Sequence, residues 1–310
     1  MGTPVFAVPT LVSLLDAGCE IVGVYTQPDR RSGRGRRVTP PPVKQAATER
    51  DLPVFQPASL RRDADARQQL VSLKPDLILV AAYGLFLPAD TLDVPPLGAL
   101  NIHPSLLPKH RGPSPVATAI LEGDTTTGAT LMQLDEGMDS GPIIAQRETT
   151  IGVNETAEDL TVRLFGMGAR LLADTLPRWR TGEFAPVPQS EADATITRLL
   201  RREDGEIDWA RPAHHIARQI RAYHPWPGTF THWNGKQLKV HQASPLDNDE
   251  DFATGTVVEI DQGIGQGIGV ATGEGILLIQ RVQPEGRQAM DIGDFTRGYR
   301  GFVGSRLGAS

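Results

Sequence analysis

Asp76-Leu77-Ile78-Leu79-Val80-Ala81-Ala82 places six apolar residues in a row behind one aspartate. A run this continuous reads as a strand buried on both faces, the pattern of a parallel sheet covered by helices. Ile21–Tyr25, Leu97–Ile102 and Ala129–Leu134 read the same way. Candidate helices lie between them at Pro9–Asp16, Val43–Arg50, Ala64–Leu73 and Ser114–Glu122. Ser114-Pro115 suits a helix entry, because proline is tolerated in the first turn. Strands alternating with helices indicate an α/β domain around a mainly parallel sheet. A periodic stretch from Glu155 to Leu176 is expected to close it as an amphipathic helix.

The pattern changes beyond that helix. From Arg180 to about Glu206 polar residues and scattered prolines replace periodicity, which reads as a linker. Pro212–Ala222 is a further helix. Short alternating segments follow at Thr229–Trp233, Gln237–His241, Thr254–Ile260, Ile268–Ala271 and Gly275–Val282, and they suggest a small β-barrel or sandwich. The glycine-rich stretch Gly263–Gly269 has no P-loop lysine and no dinucleotide fingerprint, so it is expected to be a turn. The organisation predicted is residues 1–185, a linker over 186–205, and a second domain over 206–310.

The 310 residues are 39% hydrophobic and 22% charged, an ordinary balance for a globular protein of about two domains. No apolar run approaches the length of a membrane span, and no signal peptide is visible. Cys19 is the one cysteine, which rules out an internal disulfide and fits a reducing cytoplasmic setting. Net charge is −6, against broad nucleic-acid binding, yet Arg30, Arg31, Arg34, Arg36, Arg37 and Lys44 form a basic segment with no acid inside it. A local positive loop on an acidic body is compatible with a polyanion held at one place, or with a solvated surface loop. Residues 206–310 hold ten Lys/Arg against twelve Asp/Glu, so that region is not basic overall.

Two stretches carry chemistry. Asn101-Ile102-His103-Pro104-Ser105-Leu106-Leu107-Pro108 ends a predicted strand, and ligands of open α/β sheets bind beyond the carboxyl ends of strands. Residues 101 and 103 share a strand face, so an amide donor stands beside an imidazole. Such a pair suits a carbonyl oxygen that gains negative charge, or a satisfied histidine at a strand end. The second stretch, Asp135-Glu136-Gly137-Met138-Asp139-Ser140-Gly141, supplies three acids and two glycines that can turn a carboxylate into a cleft.

The pattern Asn-x-His-x-Ser-Leu-Leu-Pro-x-x-Arg-Gly over 101–112 resembles the hallmark of the folate-dependent formyltransferases. Asp-x-Gly-x-Asp-x-Gly over 135–141 is similar to their second motif. The resemblance implies a Rossmann-like parallel-sheet formyltransferase domain (α/β) followed by a smaller, OB-like C-terminal β-barrel domain. It implies Asn101, His103 and Asp139 as a catalytic trio. It also implies Ser105, Leu106, Leu107 and Pro108 as a folate-contacting loop, with Tyr83 and Gly84 on a pteridine wall. The donor implied is 10-formyltetrahydrofolate, with no metal. A carboxylate beside His103 would favour the imidazolium, the better donor.

Thr26-Gln27-Pro28-Asp29-Arg30, with Gly33-Arg34-Gly35 and Pro42-Val43-Lys44, resembles the basic loop of the tRNA-acting members. Arg221-Ala222-Tyr223-His224-Pro225-Trp226-Pro227-Gly228 is similar to the Pro-Trp-Pro signature of their second domain. These likenesses imply initiator methionyl-tRNA as acceptor, with Arg30, Arg34, Arg36 and Arg37 as its contacts, and no membrane partner. A sibling acting on a small amine and a non-catalytic RNA-binding protein are the other readings weighed. Gly2-Thr3-Pro4 resembles the family's turn after a first apolar strand, so such a strand is expected ahead of Gly2.

Overall fold

The computed structural model describes residues 1–32, 37–248, 250, 252–261 and 266–308. The chain divides into two compact units. The first comprises Met1–Pro115, Thr126–Thr150 and Thr161–Thr197, and the second the remaining segments including Arg198–Ser310. No helix among the described residues is long and apolar enough to cross a membrane.

In the first unit, α1 (Val8–Asp16) leads to β1 (Val24–Tyr25), and β2 (Arg30–Ser32) pairs with β3 (Arg37–Thr39). Next come α2 (Pro42–Thr48), β4 (Val54–Phe55), α3 (Ala64–Ser72), β5 (Ile78–Val80), α4 (Ala89–Leu92) and β6 (Ala99–His103). α5 (Pro115–Glu122), whose residues from Val116 onward belong to the second unit, is followed by β7 (Thr126–Gln133), β8 (Ile143–Thr150) and α6 (Ala157–Arg180), of which Thr161–Arg180 lie in the first unit. Proline opens α2 and α5, where its missing N–H costs nothing, and Asp63 caps α3 by accepting from the Ala66 amide at 2.9 Å.

β1 pairs with β4 and β5 with β6 in parallel, whereas β6, β7 and β8 are antiparallel neighbours. The expected parallel sheet therefore carries an antiparallel edge, a common arrangement in α/β folds. Side-chain alternation explains the unbroken apolar run. Leu79, Ala81, Leu100, Ile102 and Leu131 pack with residues of α1, α2 and α6, including Leu11, Ala46, Phe165 and Leu172. Ile78, Val80 and Ala99 point the other way, among Leu60, Leu70, Tyr83 and Tyr25. α6 spans Ala157–Arg180, later at both ends than the predicted Glu155–Leu176, and it contains Pro177 within its last turn.

β1 is shorter than the predicted Ile21–Tyr25. Gly2 lies between the two halves of the sheet, donating its amide to the Tyr25 carbonyl (3.0 Å) and bridging Ala81 in parallel. Along the remaining length of β1 and β5, in the direction of Ile21 and Asp76, the strands flank a cleft of about 420 Å³ lined by Leu11, Leu14, Val22, Leu70, Leu73 and Leu77, among others. The Met1 amine sits at its head, 2.6 Å from the Leu79 carbonyl, and burial pushes its pKa down to about 5.

In the second unit, α7 (Ala213–Ala222) precedes β9 (Phe230–Trp233), β10 (Lys236–Leu246), β11 (Val257–Asp261), β12 (Gln266–Ala271), β13 (Ile276–Pro284), β14 (Met290–Asp291) and α8 (Ile292–Gly298). The expected barrel is a curled antiparallel sheet in the order β11-β12-β13-β10-β9, with β14 on β13. Register shifts near Gln242 bulge β10, and such a bulge bends a strand. Of the predicted turn Gly263–Gly269, Gly267–Gly269 belong to β12, and residues 262–265 lie outside the described residues. Ile216, Ile220, Leu238, Val270, Leu277, Phe295 and Phe302 form the core.

The cleft beside Met1 has a measurable consequence. The unfolded amine titrates near its ordinary 8.0 and the folded one near 5, so the unfolded state binds more protons between these values. Stability present above pH 8 is lost as pH falls toward 5. Fusing about five apolar residues ahead of Met1 turns the amine into an amide and buries side chains at roughly 1.5–3 kcal/mol each. Differential scanning fluorimetry is expected to show a thermal midpoint raised by about 5 °C or more and a flatter response over that pH window. An unmoved midpoint overturns this.

Candidate active site

β6 is apolar on one face through Leu100 and Ile102, while the opposite face runs Ala99, Asn101, His103. The polar pair thus emerges at the carboxyl end of a strand that the core holds on both sides. His103 is 4% exposed. Its Nε2 lies 3.1 Å from the His110 carbonyl. A carbonyl can only accept, so Nε2 carries the proton and Nδ1 is the basic nitrogen.

Nδ1 faces the Asp139 carboxylate, with Oδ2 at 3.7 Å. The carboxylate raises the imidazole's pKa, as does the bond to His110, but burial outweighs both and the net shift is downward. The expected imidazolium is therefore replaced by a neutral imidazole at neutral pH, because desolvation of a charge inside the fold outweighs an ion pair that is not in hydrogen-bond contact.

Asp139 belongs to the turn after β7 and adopts φ +52, the left-handed region. Its Oδ2 accepts the Gly112 amide at 2.9 Å. Gly112 has φ +101, and a Cβ there would sit 2.9 Å from the Thr197 carbonyl, so glycine is required. The other two acids of the motif turn elsewhere. Asp135 accepts from Ser140 Oγ and the Gly137 amide, and Glu136 is exposed. Asn101 is half-buried, and its carboxamide makes no hydrogen bond among the described residues. The structure thus brings His103 to Asp139 and places Asn101 on the same strand face, two residues earlier.

The loop after β6 is pegged from below. Thr130 Oγ1 donates to the Ser105 carbonyl (2.7 Å) and accepts the Leu107 amide (3.2 Å), and Gln146 Nε2 donates to the Leu107 carbonyl at 2.8 Å. Ser105 is fully buried and its Oγ donates to the Lys109 carbonyl. Leu107 is buried, whereas Leu106 and Pro108 are half-buried. Of the expected pteridine wall, the Tyr83 ring lies in the core, where burial raises the phenol's pKa, and Gly84 adopts φ +74.

Three groups of contacts escaped sequence reasoning. The segment expected as a linker is stitched to the loop that follows β6. Arg111 donates its amide to the Thr195 carbonyl (2.8 Å), Thr197 donates to the Arg111 carbonyl (2.7 Å), and the His110 amide donates to Thr195 Oγ1 (2.8 Å). The buried Arg111 side chain donates to Gln189 and Glu191, and Gln189 reaches the backbone on either side of Ser140. Arg111 stands in the quoted motif and could have been flagged, but nothing local marks Gln189, Thr195 or Thr197.

In the basic segment, Lys44 is neutralised by Asp29 (2.8 Å), whose carboxyl is held below its usual range by that amine. Arg30 is exposed and donates to Gln27. Arg34 and Arg36 lie outside the described residues, as does the side chain of Arg37.

The family described as formyl transferase matches residues 2–176, and the formyl transferase C-terminal domain matches 199–300. A relative from Roseiflexus castenholzii, named methionyl-tRNA formyltransferase, is 48% identical over 99% of this chain and 97% of its own. One of the same name from Chloroflexus aurantiacus is 50% identical over 94% and 93%. Among solved structures, an N-formyltransferase from Helicobacter canadensis with folinic acid and dTDP-3-aminofucose shares the fold at TM-score 0.67 and 18% identity, covering 93% of this chain and 97% of that one. HypX from Aquifex aeolicus with tetrahydrofolic acid gives 0.59 at 21%, covering 83% of this chain and 44% of that one. With a family match over more than half of its length and relatives near half identical across almost all of it, the chain belongs to the formyl transferase family.

Proposed function

We propose that this enzyme transfers the formyl group of 10-formyltetrahydrofolate to the α-amine of methionyl-tRNA, the initiator species, in the cytoplasm. The names of relatives about half identical over nearly the whole chain support the reaction. The observation that carries the chemistry is the buried, neutral His103 with its basic Nδ1 turned to Asp139 at the end of β6.

The half-buried Asn101 carboxamide, unpaired among the described residues, fits a carbonyl oxygen that has left water. The amine nitrogen attacks the formyl carbon, and the carbonyl electron pair moves to oxygen. Asn101 donates to that oxyanion, a contribution of about 2.7–4 kcal/mol by analogy with similar donors. His103 Nδ1 takes the proton lost by the amine, because Nε2 is committed to His110, and Asp139 stabilises the imidazolium so formed. The carbonyl re-forms as the bond to N10 breaks, and N10 takes the proton from the His103 imidazolium, which returns to its neutral form. Leu106 and Pro108, at the half-buried rim of the pegged loop, with the backbone at Tyr83 and Gly84, are the folate contacts in this reading. The segment around Arg30, Arg34, Arg36 and Arg37 is the tRNA contact, through phosphates.

Asn101→Ala, His103→Gln and Asp139→Asn are each expected to lower kcat about 10²–10³-fold in single-turnover formylation of initiator methionyl-tRNA, with tRNA affinity retained. Any of these variants turning over at the wild-type rate removes its residue from the mechanism. An enzyme that formylates a small sugar amine but not methionyl-tRNA overturns the acceptor.

The pH dependence has a definite sign. Because burial lowers the folded pKa of His103, its contribution to stability is complete above the ordinary histidine value of about 6.5 and is lost as pH falls below it. Wild-type stability minus that of His103→Gln is expected to shrink on acidification from pH 7 to 5 in urea unfolding, and kcat to fall over the same limb. A difference that grows on acidification contradicts the neutral imidazole.

Neutralising Arg34, Arg36 and Arg37 together is expected to weaken tRNA binding. The logarithmic salt slope should fall by about one unit per lost phosphate contact, with folate binding unaltered. An unchanged slope by filter binding at several salt concentrations returns the segment to a solvated loop.

A further inference from the structure

The Gln189 carboxamide spans two segments that both touch the His103–Asp139 pair. Its Nε2 donates to the Asp139 carbonyl at 2.8 Å and to the Gly141 carbonyl at 2.7 Å. Its Oε1 accepts from Arg111 Nε at 2.9 Å. Both amide protons and the oxygen are therefore used, so the group has one orientation only.

Arg111 is in turn tied to its surroundings. It is buried, Nη1 and Nη2 donate to the Glu191 carboxylate at 3.1 and 2.9 Å, and its backbone is paired with Thr195 and Thr197. Its neighbours His110 and Gly112 hold the two reacting partners, His103 Nε2 by a carbonyl and Asp139 Oδ2 by an amide. On the other side, Asp139 keeps a left-handed backbone that an L-residue adopts reluctantly. Its carbonyl is anchored by Gln189.

We propose that Gln189 is a positioning residue for formyl transfer, locking the Asp139 turn to Arg111 so that the carboxylate stays facing His103 Nδ1. It acts through Asp139 and touches no reacting atom, and this inference rests on the catalytic reading of Asp139 given above. A carboxylate in its place keeps the bond to Arg111 but opposes two carbonyl oxygens. Gln189→Glu therefore separates the donor role from mere filling of space.

In formylation of initiator methionyl-tRNA, Gln189→Ala and Gln189→Glu are both expected to lose kcat on the order of a hundredfold, with KM for folate and for tRNA changed less than about twofold. The acid limb of the kcat profile should move to lower pH. Loosening Asp139 weakens the charge that holds the pKa of His103 up, and burial then meets less opposition. In an Asp139→Asn background, Gln189→Ala should cost almost nothing further, because there is no carboxylate left to aim.

A folded Gln189→Ala protein with wild-type kcat and an unmoved acid limb overturns the proposal. So does a loss that simply adds to that of Asp139→Asn, or a Gln189→Glu enzyme that works normally. If Gln189→Ala does not fold, Gln189→Glu decides by the same readouts. If Asp139→Asn alone retains full activity, the catalytic reading of Asp139 has failed and this inference falls with it. An inactive Asp139→Asn beside a normal Gln189→Ala overturns this inference alone.

Discussion

The strand β6 must satisfy two demands within five residues, and the first unit is arranged around them. Its apolar residues are buried on both faces, with Leu100 and Ile102 toward one set of helices and Ala99 toward the other. At His103 it has to surface polar chemistry without surfacing water. Burial on both sides gives β6 the rigidity that a side chain in a loop lacks, and it holds the imidazole in a medium where charge is costly. His103 consequently sits neutral, and its single proton goes to the nearest fixed acceptor, the His110 carbonyl. Once that bond is made, the free nitrogen has one direction to face.

That direction is supplied by segments with no regular structure of their own. The loop after β6 is pegged by Thr130 and Gln146 beneath and stitched by Thr195 and Thr197 alongside. Asp139 occupies a conformation that costs an ordinary residue roughly 1–3 kcal/mol, and such strain persists only where the surroundings over-determine it. Here the Gly112 amide on its carboxylate and the Gln189 amide on its carbonyl supply those constraints. The economy of the site is that the same short loop, 110–112, grips the histidine at one end and the aspartate at the other.

Much of this was legible beforehand, for identifiable reasons. Asp76–Ala82 and Leu97–Ile102 announced buried strands because a sheet covered on both faces has no polar position to interrupt the run. Pro115 falls at a first helical position, as expected of proline there, whereas the helix expected from Val43 begins one residue earlier, at Pro42. The strand spacing of two placed Asn101 and His103 together, and the two motifs pointed to the family that the comparisons show. The antiparallel edge at β7 and β8 was not legible, since strand direction depends on where the connection returns and not on side-chain pattern.

What the sequence by itself determined is therefore local: which segments bury two faces, which residue types stand at the end of β6, and which family motifs they form. Only the tertiary structure decided protonation and aim. The pKa of His103 balances burial against a carboxylate 36 positions away, and no local pattern measures burial. The polar segment read as a linker holds the site because hydrogen bonds made by Gln189, Thr195 and Thr197 join positions about fifty to ninety residues apart. Such pairings exist only once the chain is folded, and a polar residue that will be buried by its partners looks in sequence like any residue left in water.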